Sequence, residues 1–344
     1  MKVNMKVIFE TVCLSFVVLI AVSCGGKQAS VERITLDGLI QGTYYHIVYY
    51  SPTTDNSLQV KQGINRIFKA VDASLSLWNE ESVLSKANNG ENIELDSIFI
   101  DNFNLSQEIS KLTDGAFDIT IGNLVKAYGF ANKQRIKLSD AQIDSLLQGV
   151  DYRKVAITAD KRLKKLPVTS LDFNAIAQGY TTDLISSYLL SVGINDFVVD
   201  VGGEVFAHGS KPNNEAWLVA IEEPSVDSLS EQTYKKAVYL RNESIVTSGS
   251  YRKYYVENGI KYSHTIDPRN GKPVTHSLLS VSVIAKKSYE ADGLATAFMV
   301  MGLERSKAFL AHHTEYDAYF IYSDTKGNYA TYATAGFQKK IQSN

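Results

Sequence analysis

The stretch Phe197-Val198-Val199-Asp200-Val201-Gly202-Gly203-Glu204-Val205-Phe206-Ala207 contains two strand-like apolar runs separated by a pair of glycines. It follows a long helical segment, residues 175–192, that ends at a glycine, as many helices do. Elsewhere in the chain, predicted strands and helices mix without the regular alternation that builds a parallel sheet. We therefore predict an α+β fold with mixed, largely antiparallel sheets and packed helices.

Apolar periodicity predicts further elements on both sides of this stretch. Helices are expected at residues 57–78, 82–89, 101–112, 139–147, 290–301 and 304–312. Strands are expected at residues 155–158, 166–171, 217–222 and 279–285, in two runs between residues 34 and 50 interrupted at Asp37-Gly38 and Gln41-Gly42, in four runs between residues 237 and 266, and in a closing hairpin of residues 318–322 and 329–334. Ser139 and Gln142 form a capping-box pattern at one helix start.

The composition of the chain is that of an ordinary globular protein. Its 344 residues are 44% hydrophobic and 21% charged, with a formal net charge of −2. A chain of this length can bury a large core. The charge balance gives no reason to expect nucleic-acid binding, which depends on an excess of Lys and Arg.

The N-terminal segment has the pattern of a bacterial lipoprotein signal. Lys2 and Lys6 precede an apolar run that is short for a membrane-spanning helix and ends in Ala21-Val22-Ser23-Cys24-Gly25. We expect a signal peptide over residues 1–23, lipid on Cys24, a tether over residues 24–33 and a single domain over residues 34–337. The expected location is a bacterial membrane surface, on the periplasmic side of the inner membrane. An ordinary signal peptide with an incidental cysteine is the alternative.

Cysteine usage limits the chemistry of the mature chain. The only cysteine besides Cys24 is Cys13, which lies in the predicted signal peptide. A disulfide, a thiolate nucleophile and a zinc–thiolate site are therefore not expected. The sequence also lacks the P-loop, the dinucleotide-binding glycine motif, the nucleophile elbow and the H-E-x-x-H zinc motif, which argues against those enzyme classes.

Asp292 and Thr296 are candidate metal ligands. Their spacing of four places both side chains on one face of a predicted helix. Carboxylate, hydroxyl and carbonyl oxygens suit Mg²⁺, which keeps water and substrate phosphates as its other ligands. The carbonyl of Ala295 could join them only where the backbone departs from regular helix. A capping aspartate with a core-facing threonine is the alternative explanation.

His264 is a candidate general base. It lies in Ser263-His264-Thr265-Ile266-Asp267-Pro268-Arg269-Asn270-Gly271-Lys272-Pro273, a stretch rich in turn-forming residues. A histidine in such a loop can titrate near neutral pH and accept a proton during catalysis. A structural or surface histidine is the alternative. Beside a metal site, such a base would suit metal-assisted chemistry on a phosphate.

Three weaker features have both a functional and a structural interpretation. Gly202-Gly203 permits positive φ or close approach to a ligand, or it marks a β-bulge. The stretch Thr247-Ser248-Gly249-Ser250-Tyr251-Arg252 offers hydroxyls, amides and a cation to an anion. Trp78, Phe117 and Tyr128 could stack on a planar ring, although such aromatics usually belong to the core.

Taken together, these motifs resemble the ApbE family of FAD:protein FMN transferases, in the family's order and from about residue 38 to residue 334. Exported lipoproteins are common in that family. The matching segments are Gln41-Gly42-Thr43, Ser76-Leu77-Trp78 with Ser82, Ser85 and Asn88, Gly115-Ala116-Phe117-Asp118-Ile119-Thr120, Leu171-Asp172-Phe173-Asn174-Ala175-Ile176-Ala177-Gln178-Gly179, Asp200-Val201-Gly202-Gly203-Glu204, Thr247-Ser248-Gly249, Ser263-His264-Thr265-Ile266-Asp267-Pro268, and Ala291-Asp292 through Thr296.

The resemblance implies an enzyme that binds FAD with Mg²⁺ in a cleft between two subdomains. It would transfer FMN to a Thr or Ser hydroxyl of a target flavoprotein as a phosphoester and release AMP. His264 would be the base. The implied Mg²⁺ ligands are Asp292, Thr296 and the carbonyls of Ala175 and Ala295. The implied FAD contacts are Gln41, Trp78, Ala116, Phe117, Asp118, Asp172, Gln178 and Ile266.

The resemblance also implies a class of partner and two alternative functions. The implied acceptors are flavoprotein subunits of Na⁺-pumping quinone reductase or the related electron-transport complex, and no nucleic acid is expected. The chain departs from the family pattern at Gln41, where Met is usual, and at Gln178, where Lys is usual. Loss of that cation is expected to weaken FAD binding. The alternatives are a Mg²⁺-dependent FAD pyrophosphatase and a flavin-binding lipoprotein without catalysis.

Overall fold

A computed structural model of the chain describes residues 31–52, 56–129, 138–222, 234–249, 254–257, 260–263 and 265–342. The predicted signal peptide, Cys24 and His264 lie outside these residues. Val31–Asn344 form one compact unit. The cleft described below lies within this unit.

Helices and strands mix along the described residues, as the sequence pattern predicts. The helices are α1 (Ser57–Leu75), α2 (Val83–Asn88), α3 (Ser97–Leu112), α4 (Gly122–Ala127), α5 (Asp140–Leu147), α6 (Ala177–Ser191), α7 (Ser288–Met301), α8 (Leu303–His312) and α9 (Ala335–Lys340). The strands are β1 (Glu32–Ile40), β2 (Thr43–Ser51), β3 (Ala156–Ile157), β4 (Leu163–Lys164), β5 (Phe197–Val201), β6 (Glu204–His208), β7 (Trp217–Glu222), β8 (Tyr234–Leu240), β9 (Glu243–Gly249), β10 (Tyr254–Glu257), β11 (Ile260–Ser263), β12 (Ile266–Asp267), β13 (Lys272–Pro273), β14 (Leu278–Ala285), β15 (Asp317–Ser323) and β16 (Tyr329–Ala333).

The central sheet has the strand order β1-β2-β5-β6-β9-β14-β15-β16. Within the described part of the chain, each neighbouring pair in this sheet runs antiparallel. The stretch that opened the sequence analysis forms β5 and β6 in the middle of the sheet. The predicted α+β class with largely antiparallel sheet is confirmed.

Both faces of the central sheet are covered by apolar packing. On one face, side chains of β2 and β5 pack against α1 and α6, and a larger cluster contains α3, α7 and β14. On the other face, the β7–β8 hairpin and Phe337 of α9 cover β6, β9 and β15. Helix α7 is buried along most of its length, so the side chains of its first turns are held rigidly beside α6.

The first hairpin differs from the expectation at one of its two glycines. Gln41 and Gly42 form the turn, with φ values of 52° and 76°, which is the backbone that a tight hairpin requires. Gly38, however, lies within continuous β1, opposite Tyr45. A Cβ at residue 38 would collide with the Tyr45 ring, so this glycine accommodates an aromatic neighbour and the predicted interruption at Asp37-Gly38 is wrong.

Residues 166–171 were expected to form a strand and do not. Pro167 lacks the amide that a ladder needs, the Thr169 amide donates to the Leu166 carbonyl at 3.0 Å, and Ser170 makes only an isolated bridge to Ile121.

The capping box is confirmed, since Ser139 and Gln142 bond reciprocally at the start of α5. Within the described residues, no helix is long and apolar enough to cross a membrane.

Candidate functional site

A cleft of about 3050 Å³ is lined by residues of the central sheet, by helices α6 and α7, and by the loops around residues 116–123 and 167–175. It brings together residues that are far apart in sequence. Among the residues predicted for the site, those that line it are Gln41, Trp78, Ala116, Phe117, Asp118, Asp172, Ala175, Gln178, Ile266, Asp292 and Thr296. Ala295 is fully buried inside α7 and does not line the cleft. Its carbonyl was expected to bind the metal only if the backbone departed from regular helix, and residues 288–301 form one continuous helix.

Asp292 reaches from α7 to the first turn of α6. Its Oδ2 accepts a hydrogen bond of 3.0 Å from the amide of Gly179. In a regular helical turn that amide would bond to the carbonyl four residues earlier, which belongs to Ala175. Among the described residues, no backbone amide bonds to the Ala175 carbonyl. The Asp292 carboxylate thus accepts the hydrogen bond of the Gly179 amide, and the Ala175 carbonyl oxygen at the cleft is left without a backbone donor among the described residues.

Gly179 and Asp183 hold α6 and α7 in this arrangement. A Cβ on Gly179 would lie 2.5 Å from the Ser288 carbonyl oxygen and 2.8 Å from the Asp292 Cβ, so only glycine permits this close approach. One turn later, the two carboxylate oxygens of Asp183 accept bonds from the amides of Ser288 and Tyr289, at 3.0 and 3.1 Å. Asp183 thereby caps the start of α7 from the neighbouring helix.

The carboxylates at this end of the cleft are strongly desolvated. Asp292 is 5% exposed, and burial, with a smaller contribution from the nearby Asp183 charge, raises its pKa to about 7. Glu204, at the start of β6, is 9% exposed. Burial raises its pKa well above the usual value, and the charges of Asp292 and Asp200 add to the effect. A cation between these groups would relieve both the desolvation and the repulsion.

The donors at this position fit Mg²⁺. The free Ala175 carbonyl, the Asp292 carboxylate and the half-buried Thr296 hydroxyl are oxygen ligands of the type that Mg²⁺ prefers. Across the described ranges, no group of three or more His, Cys, Asp or Glu side chains is placed to hold a metal. A cation at this position would be held by mixed oxygen donors together with ligands from water or substrate phosphate.

Asp118 and Asp172 lie on a second wall of the cleft. Oδ1 of Asp118 accepts bonds from the amide and hydroxyl of Thr120 at 2.8 and 2.7 Å, and its Oδ2 accepts one from the Tyr152 amide at 2.9 Å. Asp118 therefore holds two loops together at the cleft. Oδ1 of Asp172 accepts from the Asn174 amide at 2.8 Å. Burial raises the pKa of each carboxyl.

Gln178 lies where α6 meets the β5–β6 turn. A Cβ at Gly202 would collide with the Gln178 side-chain nitrogen and lie 2.9 Å from the Thr43 hydroxyl. Gly202, with φ of 70°, therefore leaves room for Gln178 and Thr43 to meet at the cleft. The glycine pair therefore provides positive φ for a tight turn and permits close approach of neighbouring side chains. The β-bulge interpretation is not supported, because β5 and β6 remain paired up to Val201 and Glu204 on either side of the glycines.

The apolar residues predicted for the site differ in exposure. Trp78 is 72% exposed at the rim, where its ring is available to a planar ligand. Ala116, Phe117 and Ile266 are buried. Phe117 belongs to the large core cluster, which favours the structural interpretation of its ring.

The loop after His264 is held in place by its own residues. Both oxygens of Asp267 bond to Arg269, with Oδ2 at 2.6 Å from a guanidinium nitrogen, and the Asp267 carbonyl accepts from the Gly271 amide at 2.8 Å. Tyr128 donates to the Gly271 carbonyl at 2.9 Å, a structural role for this aromatic. Asp267 therefore stabilises the loop through its contacts with Arg269 and Gly271.

The hydroxyl-rich stretch is described only in part. Thr247, Ser248 and Gly249 line the cleft, and the Thr247 and Ser282 hydroxyl oxygens lie 2.7 Å apart. Residues 250–252 lie outside the described residues, so the anion cradle stays a prediction.

Sequence reasoning missed the parts of the site that depend on contacts between α6, α7 and β6. Glu204 was singled out only for the glycines before it, and neither the Gly179 amide nor Asp183 was noted as a partner of α7. A carboxylate directly after a glycine pair, at the start of a strand that is otherwise apolar, was the available signal for Glu204. No local pattern identifies the other two contacts.

Comparison with known proteins places the chain beside flavin transferases. The profile of the ApbE family matches residues 41–320. The FAD:protein FMN transferase of Vibrio cholerae is 32% identical over 91% of this chain and 94% of its own length. That of Escherichia coli K12 is 31% identical over 88% of this chain and 90% of its own length.

Solved structures agree with the sequence comparison. Flavin transferase ApbE from Vibrio cholerae superposes with a TM-score of 0.79 at 30% identity, over 90% of this chain and 99% of its own. The apo form of the flavinyl transferase ApbE from Pseudomonas stutzeri gives a TM-score of 0.81 at 29% identity, over 90% of this chain and 97% of its own.

Proposed function

Because the chain belongs to the ApbE family, we propose that it is an FAD:protein FMN transferase that moves the FMN half of FAD to a Thr or Ser hydroxyl of a target flavoprotein. The observation that carries the proposal is the placement of Ala175, Asp292 and Thr296 on one cleft, with the Ala175 carbonyl free of backbone donors among the described residues.

The proposed reaction is a phosphoryl-type transfer whose only reactants are FAD and the acceptor hydroxyl. The acceptor hydroxyl oxygen attacks the phosphorus on the FMN side of the pyrophosphate, the bond from that phosphorus to the bridging oxygen breaks, and AMP leaves. The hydroxyl proton passes to a base, the role that the family motif gives to His264. When bound, Mg²⁺ would neutralise pyrophosphate charge that develops during transfer.

Other residues of the cleft would bind the metal ion and the dinucleotide. Ala175, Asp292 and Thr296 would hold the Mg²⁺ through one carbonyl, one carboxylate and one hydroxyl. Trp78 at the rim would cover a planar ring, while Asp172 and Gln178 offer polar groups to the dinucleotide. The cleft volume of about 3050 Å³ exceeds the range of roughly 300–1,000 Å³ that is usual for small-molecule pockets.

The experiment that tests this function separates three outcomes in one incubation. The purified protein is mixed with FAD, Mg²⁺ and an acceptor flavoprotein subunit of the kind found in Na⁺-pumping quinone reductase or the related electron-transport complex. A transferase yields flavin that stays on the acceptor after denaturation. Free FMN with AMP would indicate a pyrophosphatase, and unchanged FAD a binding protein; either result contradicts the proposal.

We further propose that the protein is lipidated at Cys24 and works at a bacterial membrane surface, with the periplasmic side of the inner membrane as the expected place. The order of basic residues, apolar run and small residues before Cys24 supports this location. Cys24→Ser should release the protein from membranes, since attachment needs the thiol. A Ser variant that stays with membranes after a high-salt wash would contradict lipid attachment at this residue.

A further inference from the structure

Glu204 carries an oxygen that has no partner in the protein. Its Oε2 is buried and makes no hydrogen bond within the described residues, although the residue lines the cleft. A buried carboxylate oxygen without a partner is costly, and such groups usually have a functional or ligand-related reason to persist. Glu243 of β9 is equally buried, but its two oxygens lie 2.6 and 2.8 Å from the Lys340 ammonium.

Helix α6 brings Glu204 next to the predicted cation site. The Gly179 amide bonds to the Asp292 carboxylate, and one turn later the Thr182 hydroxyl donates to the Glu204 carbonyl at 3.2 Å. Residues three apart on a helix are neighbours, with Cβ atoms roughly 5–6 Å apart. Asp292 and Glu204 therefore both contact α6 within one turn, Asp292 through its carboxylate and Glu204 through its backbone carbonyl.

The electrostatic contacts of Glu204 also point toward a cation. Asp292 and Asp200 are the charged neighbours that act on its carboxylate, and both are negative. The Asp200 carboxylate has its own donors, since it accepts from the Gly203 amide at 2.9 Å and from the Tyr44 hydroxyl at 3.3 Å. The unpartnered Oε2 of Glu204 is thus an oxygen that a positive ligand would satisfy.

We propose that Glu204 is an additional acidic member of the cation site, whose buried carboxylate accepts a hydrogen bond from a water ligand of the metal. This inference rests on the cation site of the proposed function. Mg²⁺ retains several water ligands in proteins, and carboxylates that bind such outer ligands tune metal affinity. Glu204 is then a positioning residue, because it acts on the metal through water.

The test measures metal binding and apo-protein stability separately, without FAD turnover. Mn²⁺ serves as the probe, titrated into the lipid-free protein and followed by its electron paramagnetic resonance signal. Glu204→Gln should weaken Mn²⁺ binding by roughly 10–100-fold. The same variant should keep the Tm of the metal-free protein at or above that of the wild type, because it removes a buried charge that lacks a partner.

Two further variants keep the result interpretable. Glu204→Asp retains the charge and should bind Mn²⁺ more tightly than Glu204→Gln. Glu243→Gln breaks a buried ion pair on the same sheet, so it should lower the Tm and leave Mn²⁺ binding unchanged. A residue with a purely structural role would behave like Glu243.

The outcomes distinguish this inference from the proposed function. If Glu204→Gln binds Mn²⁺ like the wild type while Asp292→Ala does not bind it, the role of Glu204 is overturned and the cation site stands. If Glu204→Gln lowers the Tm and leaves Mn²⁺ affinity unchanged, the role is likewise overturned. A wild-type protein that binds no Mn²⁺ would overturn the cation site of the free protein and with it the role of Glu204, while FMN transfer is judged separately by the incubation with FAD and acceptor.

Discussion

The amide nitrogen of Gly179 donates a 3.0 Å hydrogen bond to Oδ2 of Asp292, across 113 positions of sequence. This bond joins the first turn of α6 to α7, and in the described part of the chain the Ala175 carbonyl has no backbone donor. The absence of a Cβ at Gly179 lets the two helices approach this closely. The predicted metal ligands thus come from α7 and from the turn that precedes α6, and the contacts of Gly179, Asp183 and Asp292 hold the two helices together.

Substitution of Asp292 should abolish Mg²⁺-dependent transfer while the fold is kept. Asp292→Asn retains an oxygen that can accept from Gly179, so we expect a Tm close to that of the wild type. Asp292→Ala leaves the buried Gly179 amide without a partner, which should cost about 1–3 kcal/mol of unfolding free energy.

The loss of activity should be large in both Asp292 variants. Removal of a direct ligand should exceed the roughly 10–100-fold effect of outer partners. Initial rates of transfer at several Mg²⁺ concentrations, measured alongside thermal unfolding, test the prediction. Wild-type-like rates at saturating Mg²⁺ would exclude Asp292 from the site.

Much of the fold could be predicted from the sequence, because local patterns determine it. The capping box at Ser139 and the Gln41-Gly42 turn depend on neighbouring residues, and both are found where expected. The mistake at residues 166–171 is local, since Pro167 lacks the amide that a ladder needs, whereas the mistake at Gly38 concerns a long-range contact. Gly38 looked like a strand break because its partner Tyr45 is visible only once β1 and β2 pair.

The candidate site could likewise be predicted from the sequence only where local patterns determine it. Asp292 and Thr296 could be proposed from helical spacing together with a family resemblance. The free carbonyl of Ala175 depends on a bond from α7, and the contribution of Glu204 depends on how β6 docks against α6. These relationships arise from tertiary packing, which a single sequence does not specify.

Replacing Gln178 by the family's usual lysine should tighten FAD binding. Gln178 lines the cleft beside Thr43 and Gly202, so a lysine there would bring a cation to the dinucleotide. A charged hydrogen bond exceeds a neutral one by about 1 kcal/mol, which corresponds to about fivefold in Kd. Fluorescence titration with FAD measures the change.

Gln178→Met is the matched control, because it keeps the side-chain length without charge or hydrogen-bonding capacity. The gain for Gln178→Lys should shrink as salt concentration rises. Equal FAD affinity of the Lys and Met variants would show that charge at this position does not govern binding.

The stability of the protein without ligands should depend on the ionisation of Asp172. Burial raises the pKa of this carboxyl in the folded state. The folded protein therefore holds the proton more tightly than the unfolded chain, whose Asp pKa is about 3.9. The stabilisation is fully present below that value and is lost as pH rises through the folded-state pKa.

Asp172→Asn removes this dependence and keeps an oxygen for the Asn174 amide. The Tm of the variant relative to the wild type should therefore rise between pH 4.5 and pH 8. The paired comparison cancels the opposite contribution of His276, whose pKa is lowered by burial. A Tm difference that stays constant or falls across this range would mean that Asp172 does not titrate as inferred.

His264→Ala should bind FAD and Mg²⁺ normally but lose transfer. General-base catalysis contributes roughly 10²–10⁴-fold to rate, so single-turnover transfer should slow by that amount while the Kd for FAD is retained. The wild-type rate should fall as the pH is lowered, because the protonated imidazole ring cannot accept a proton. Tight FAD binding with normal transfer in the variant would refute the base role.

The central claim, that this chain transfers FMN from FAD to a protein hydroxyl, is tested most directly by the stoichiometry of its two products. Wild-type protein, FAD, Mg²⁺ and acceptor are incubated, and AMP and flavin bound covalently to the acceptor are quantified together. Our account predicts one AMP for each protein-bound flavin, with no product when Mg²⁺ is chelated. AMP accompanied by free FMN, with no flavin on the acceptor, would contradict it.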